Sequence, residues 1–363
     1  MHEPTRTAPG FHVPFLLLLA FAAACGSDKD ADTGPETITL TYSDTDTDTD
    51  TDTDTDTDAD TDTDTDTDVP AGVFGVLSDT PDLTETIDVA ATATQLFAVG
   101  FDAAGEAVIA EIDPATGAVL SELHAGAPLV QPSGLAVSMD GTLLFVADVA
   151  APEGDGTTNG AVYAMPIGGG SLTVLGTPGV VDLPGDVAAS AGGNGVWVTG
   201  MNTAGEPAIF QVPIDGGAPT EETFGPPLVD PLAITASPDG TMLYVVDSMG
   251  EAGSAALFSY TTAGFVDGLV SMHFRVEFPG GLAVSPDNTT LYYTQTNTTS
   301  GSANPATGAA LVRIGVDGTG WEVVSDNPST LIKLPAGVAA ISGTTYVSEL
   351  SSLALGDVFT YAY

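Results

Sequence analysis

The chain has 363 residues, with 49 Asp and Glu against 5 Lys and Arg, a formal net charge of −44 and a hydrophobic fraction of 43%. So few cations exclude nucleic acid as a partner, because binding it requires Lys and Arg at the phosphates. The single cysteine, Cys25, excludes any disulfide within the chain.

Residues 1–25 read as a secretory signal. His2, Arg6 and His12 precede an apolar run from Phe15 to Ala24 that closes on small residues. That run is too short to span a bilayer and suits the apolar region of a signal peptide. Ala22-Ala23-Ala24-Cys25 resembles the lipobox of bacterial lipoproteins, with Ala22 where that family prefers Leu. The resemblance implies cleavage before Cys25 and a lipid anchor on it, with the membrane as a partner. Gly26 after the cysteine, in place of Asp, implies the outer membrane or cell surface of a bacterial envelope.

Residues 26–70 read as an acidic linker. From Asp44 to Asp68 Thr and Asp alternate, broken by Ala59, so thirteen carboxylates repel one another and neither face is apolar. Such a segment cannot bury enough surface to offset its ordering entropy and stays extended and solvated. Fully stretched, 25 residues reach roughly 80–90 Å at ~3.3–3.6 Å each, a tether that holds a domain off a membrane.

Residues 71–363 carry a repeat. Phe97, Phe145, Trp197, Tyr244, Tyr292 and Tyr346 follow one another at 48, 52, 47, 48 and 54 residues, each inside an apolar strand-like run. In the second unit Leu135–Ser138 turns at Met139-Asp140-Gly141, returns as Leu144–Asp148, and continues through Ala161–Met165 and Leu172–Leu175. Four short strands joined as a meander, at this period, predict an all-β fold: a six-bladed β-propeller of four-stranded antiparallel blades. Asp-Gly and Asp-Asn at the first turn of a unit suit two-residue hairpins, which need a positive φ. The last unit ends with its third strand, Val358–Tyr363. Val73–Leu77 is therefore expected to close the ring as the outer strand of the last blade.

Longer loops fall on one face: Val149–Gly160, Gly200–Pro207, Ser248–Ala255, Thr296–Ala309 and Leu350–Gly356. Carboxylates gather toward that face. Asp148, Asp247 and Glu349 end second strands, and Asp88, Asp186 and Asp230 lie near the starts of innermost strands. Loop insertions on one face of a repeat fold mark its binding side. A ring of oxygens there suits Ca²⁺, while the simpler reading makes these acids solvated groups at loop ends. The domain holds 31 acids against Arg275, Arg313 and Lys333, which leaves divalent cations and basic partners open. Past the signal only His124 and His273 remain, which excludes a Cys-His nucleophile pair and a Cys- or His-rich zinc site.

Ser237-Pro238-Asp239-Gly240 followed by Leu243–Asp247, and Ser285-Pro286-Asp287 with Leu291-Tyr292-Tyr293, resemble the six-bladed gluconolactonase/regucalcin and NHL-repeat propellers. The likeness covers most of residues 85–363. It implies a divalent-metal site built from an acid in the first blade and Asn or Asp at Pro-Asx-Gly openings. Glu85 stands at a plausible place for the first, with Asp148 and Asp247 as further metal candidates. The Asx positions hold Ser133, Gly185, Leu232, Gly280 and Ala336, which cannot rebuild that site. The sequence thus reads as an envelope-anchored propeller that binds a protein, glycan or small ligand at its loop-rich face without catalysis. A Ca²⁺-dependent lactonase or other hydrolase is the competing class.

Overall fold

The computed structural model describes residues 73–78, 83–152, 159–177, 179–249, 254–274, 276, 280–295, 309–324, 334–350 and 358–363. The signal, Cys25 and the Thr-Asp linker lie outside them. Among the described residues twenty-four strands are arranged in chain order as β1 (Val73–Ser78) and then six meanders. The first blade holds β2 (Glu85–Ala91), β3 (Leu96–Phe101), β4 (Ala107–Ile112) and β5 (Val119–Ala125). The second holds β6 (Pro132–Val137), β7 (Leu143–Asp148), β8 (Ala161–Pro166) and β9 (Thr173–Val174). The third holds β10 (Asp182–Ala189), β11 (Gly195–Met201), β12 (Pro207–Pro213) and β13 (Thr220–Phe224). The fourth runs through β14 (Pro231–Ala236), β15 (Met242–Asp247), β16 (Ala255–Thr261) and β17 (Asp267–Phe274). The fifth has β18 (Leu282–Val284), β19 (Thr290–Gln295), β20 (Ala310–Gly315) and β21 (Glu322–Val323), and the sixth β22 (Pro335–Ile341), β23 (Thr344–Glu349) and β24 (Val358–Ala362). Each blade is a four-stranded antiparallel sheet. The sixth takes β1 as its fourth strand, in the order β1-β24-β23-β22.

The six repeat aromatics explain why the blades form and how they dock. Each lies opposite a small residue of its own innermost strand: Ala90–Phe97, Ala136–Phe145, Ala188–Trp197, Thr235–Tyr244, Ala283–Tyr292 and Ala339–Tyr346. All six are buried, at 6% exposure or less. Inner strands crowd the ring axis, so a large residue on the second strand needs a small cross-strand partner. Side chains alternate along a strand, so the aromatic reaches one neighbouring blade and the residues beside it reach the other. Six hydrophobic clusters result, and each spans the seam between two blades. Phe97 packs among second-blade residues such as Leu144 and Tyr163, and Tyr346 closes the circle against Leu96 and Val108 of the first. Both faces of each blade are buried, which accounts for near-continuous apolar runs in the second strands.

The hairpins after β6, β14 and β18 differ from the expected two-residue turn, which Ser342-Gly343 after β22 does adopt. Gly141 N–H bonds Ser138 C=O at 2.8 Å and Ser138 N–H bonds Leu143 C=O at 2.9 Å, so a tight turn is followed by one left-handed residue. That residue is Gly141 (φ 68°), Gly240 (φ 70°) or Asn288 (φ 60°). The Asp before it keeps ordinary backbone and uses its side chain: Asp140 Oδ1 accepts from Ser138 Oγ at 2.6 Å and Thr142 Oγ1 at 2.8 Å. Asp239 and Asp287 repeat this with Ser237/Thr241 and Ser285/Thr289. These local bonds shape the hairpin.

Closure by the N-terminal strand is antiparallel, with Val73 opposite Ala362 and Val76 opposite Phe359. Without β1, β24 becomes a bare strand edge, a template for pairing with another chain. Deleting the sequence through Ser78 is therefore expected to lower the melting temperature and drive aggregation in size-exclusion chromatography. A soluble monomer with unchanged melting would contradict closure by β1.

Candidate functional site

Around the axis the six innermost strands enclose a cavity of about 640 Å³. Its walls are apolar, with Val89, Leu135, Val187, Ile234, Leu282 and Val338 from successive blades, and among the described residues no Lys, Arg or His lines it. At one end the lining residues are hairpin residues exposed to solvent, Met139, Pro238, Pro286 and Ser342; at the other they are buried, Asp88, Asp186 and Gly281. The channel therefore opens on the tight-turn face and ends deep in the ring at two acids. Of the loops expected to mark a binding face, 153–158, 250–253, 296–308 and 351–357 fall outside the described residues. Gly200–Pro207 is a short turn in which Asn202 Oδ1 accepts from Ala204 N–H at 3.0 Å and Glu206 N–H at 2.9 Å.

Asp88 and Asp186 hold neighbouring blades together from inside the ring. Asp88 Oδ1 accepts from its own chain at Val89 N–H (2.8 Å), and Oδ2 accepts from Leu135 N–H of the next blade (2.7 Å). Asp186 does the same with Val187 N–H (2.7 Å) and Ile234 N–H (2.9 Å). Each carboxylate lies in space that only glycine on the preceding blade leaves open: a Cβ on Gly337 would overlap Asp88, and one on Gly134 would overlap Asp186. The Gly134-Leu135 step thus touches both acids, packing on one and donating to the other. Burial pushes Asp88 up to about 7 against the two N–H bonds that favour its anion. Burial, and then the charge of Asp88, raise Asp186 well above the ordinary carboxylate range.

Asp148 and Asp247 form a second set at the other end of the second strands. Asp148 Oδ2 accepts from Val130 N–H at 2.7 Å and Oδ1 from Ala150 N–H at 3.0 Å. Asp247 binds Val229 N–H at 2.7 Å and Met249 N–H at 3.0 Å in the same pattern, and Glu349 receives Leu334 N–H at 3.2 Å. Burial raises Asp148 and Asp247, with the N–H bonds acting against it. Asp230 accepts from Ser248 Oγ. The picture of solvated acids at loop ends is thereby corrected for Asp88, Asp148, Asp186, Asp247 and Glu349. All are at most 9% exposed, because the chain folds back to place backbone donors on them.

These bonds leave little for a Ca²⁺ ion, which takes six to eight oxygens. Among the described residues no three His, Cys, Asp or Glu come together as a metal site. Glu85 sits at the start of β2, half-buried, with Gly100 packed on its backbone carbonyl. Ser133, at an opening where the lactonase resemblance implies Asx, donates its hydroxyl to Pro184 C=O of the next blade at 2.7 Å. The donor set does not fit a divalent metal of that kind. Arg313 pairs with Glu322 (Nε–Oε2 2.8 Å), and His124 is half-buried on β5 with Nε2 3.3 Å from Gly126 C=O. Arg275, Lys333 and the side chain of His273 lie outside the description.

The single-blade period conceals a longer one. Leu129-Val130-Gln131-Pro132 returns as Leu228-Val229-Asp230-Pro231, and Ala104-Gly105-Glu106 as Ala204-Gly205-Glu206. Across the first four blades inner-strand acids alternate with small residues, Asp88 and Asp186 in blades one and three and Gly134 and Ala233 in blades two and four, whereas blades five and six both carry glycine there, Gly281 and Gly337. The carboxylates at second-strand ends show the reverse pattern, Asp148, Asp247 and Glu349 in even blades.

No family model matches the chain, and no curated protein matches it. Solved structures share its fold. A gluconolactonase from Xanthomonas campestris aligns at TM-score 0.55 and 13% identity over 80% of this chain and 89% of that one. A structure assigned as TolB from Agrobacterium tumefaciens aligns at TM-score 0.53 and 16% identity over 68% and 81%. One chain of a nidogen/laminin complex aligns at 0.52 and 13% over 67% and 82%. At these identities the likeness establishes the six-bladed propeller fold.

Two outcomes follow from the acids. Replacing Asp247 by Ala strands the N–H groups of Val229, Asp230 and Met249, and stability should fall by on the order of 3 kcal/mol in urea unfolding, with or without Ca²⁺; an unchanged midpoint would contradict the bonding role. Asp88 and Asp186 hold protons in the folded state that the unfolded chain releases above its ordinary value of 3.8. Stability should therefore fall as pH rises from about 4 to about 7. Below about 4 it should fall again, because Asp140, Asp239 and Asp287 are held below 3.8 by Ser and Thr hydroxyls. Thermal melts should peak between these limits, and Asp88→Asn/Asp186→Asn should flatten the upper slope.

Proposed function

We propose that this chain is a lipid-anchored envelope protein whose propeller binds a ligand in its axial channel without catalysis. The observation that carries the reading is the channel itself: a concave, largely apolar-walled cavity of about 640 Å³ with two acids at its deep end, the form and size range of small-molecule sites. The buried acids support a binding role over a metal-dependent one, since backbone N–H groups already engage Asp88, Asp148, Asp186 and Asp247. The channel is favoured over the loop-rich face as the seat of binding, because the cavity opens among the hairpins. A protein or glycan partner would instead engage the loops. The anchor at Cys25 and the Thr-Asp tether would hold the propeller off an outer membrane or cell surface. Fold likeness to a gluconolactonase favours the rival reading of a Ca²⁺-dependent lactonase. The openings at Ser133, Gly185, Leu232, Gly280 and Ala336 weigh against it.

The anchor and the channel are tested separately. Cys25→Ser should abolish labelled-lipid incorporation and move the protein out of the membrane fraction; retention there would overturn the anchor. In a thermal-shift screen of small metabolites, a hit should disappear in Ala236→Phe, which fills the channel wall. Turnover of lactones that requires Ca²⁺ would overturn the non-catalytic reading.

A further inference from the structure

Three features of the channel, taken together, specify the chemistry of its occupant. The walls are aliphatic from blade to blade, and among the described residues no cationic side chain lines them. The deep end presents Asp88 and Asp186, whose oxygens each accept a single backbone N–H and so retain a further acceptor site apiece. The mouth is formed by hairpins in which Met139, Pro238 and Pro286 line the cavity and are followed directly by Asp140, Asp239 and Asp287. These three carboxylates are exposed and held ionised by their Ser and Thr partners.

We propose that the channel takes an organic cation, an ammonium group on an aliphatic body, with the ammonium at Asp88 and Asp186 and the aliphatic part along the walls. The inference rests on the reading of the channel as the binding site. An ammonium has three donors and no acceptor, which matches a deep end that offers acceptors. An anion meets acids at both ends of a low-dielectric passage and is repelled. A bare divalent ion finds only two side chains at the deep end, short of a coordination shell. A neutral apolar molecule fits the walls and gains nothing from the acids.

The proposal carries a proton signature. No titratable group stands on β6, β14, β18 or β22, and the remaining acids of β2 and β10, Glu85 and Asp182, do not line the channel. Among the described lining residues Asp88 and Asp186 are thus the titratable pair, and the charge of one acts on the other. In the free protein burial raises the affinity of both for a proton, pushing Asp88 up to about 7. A bound cation takes the place of that proton, so binding releases protons and tightens as pH rises.

The test is isothermal titration calorimetry of the full-length chain with n-hexylammonium, n-hexanol and hexanoate at pH 5.5 and 7.5, in buffers of different ionisation enthalpy. Hexylammonium should bind about ten-fold or more tightly than hexanol, release protons, and bind more tightly at pH 7.5; hexanoate should not bind. Asp88→Asn/Asp186→Asn should bring hexylammonium down to the level of hexanol, and Ala236→Phe should abolish binding of both. Proton release in the unsubstituted protein tests the idea even if the paired Asn variant does not fold. If hexanol binds as well as hexylammonium and Ala236→Phe blocks both, the channel stands and the cation inference fails. If no probe binds, or binding is indifferent to Ala236→Phe, the channel reading fails and the inference with it.

Discussion

The constraint on which the structure depends is the pairing of one large residue with one small residue, repeated six times around an axis. Inner strands converge, so their side chains must stay small. The space this leaves is filled by an aromatic on the adjacent strand, which also reaches into the neighbouring blade. Phe97 shows both contacts, opposite Ala90 within its sheet and packed on Leu144 and Tyr163 across the seam. Since every seam is built this way, the ring holds only when it is closed. That is why β1 must travel from the other end of the chain to complete the last blade.

Small inner strands leave a channel, and the channel creates an electrostatic problem. Blade starts bring backbone donors to the buried end of the channel, where they need partners. Asp88 and Asp186 answer this by accepting N–H groups from the next blade, with Gly337 and Gly134 making room. The result is two acids with raised proton affinity at the end of an apolar passage. The same groups that hold the blades together thus give the cavity its chemical character.

Much of the fold was legible in the sequence because its signals are local. The aromatic period, the Ser-Pro-Asp-Gly hairpins and the absent outer strand after Val358–Tyr363 each reflect a few adjacent residues. The roles of the acids were not legible. Asp148 looks the same in sequence whether it faces water or accepts Val130 N–H from a segment that returns to it only in the folded blade. Nor could the strands reveal which face the channel opens on, since that depends on six hairpins meeting at one rim. One signal was present and unused: the two-blade repeat, visible as Leu129–Pro132 and Leu228–Pro231. It would have shown that Asp148 and Asp247, or Asp88 and Asp186, are equivalent structural positions.

The central claim is that Asp88 and Asp186 are desolvated acids at the deep end of an apolar channel. A carbon-13 NMR titration of the Asp side-chain carboxyl carbons measures this directly. The account predicts a midpoint for Asp88 near 7 and one for Asp186 well above 3.8, while Asp140, Asp239 and Asp287 titrate below 3.8. Midpoints for Asp88 and Asp186 at the ordinary value of about 4 would place both acids in water and contradict the account.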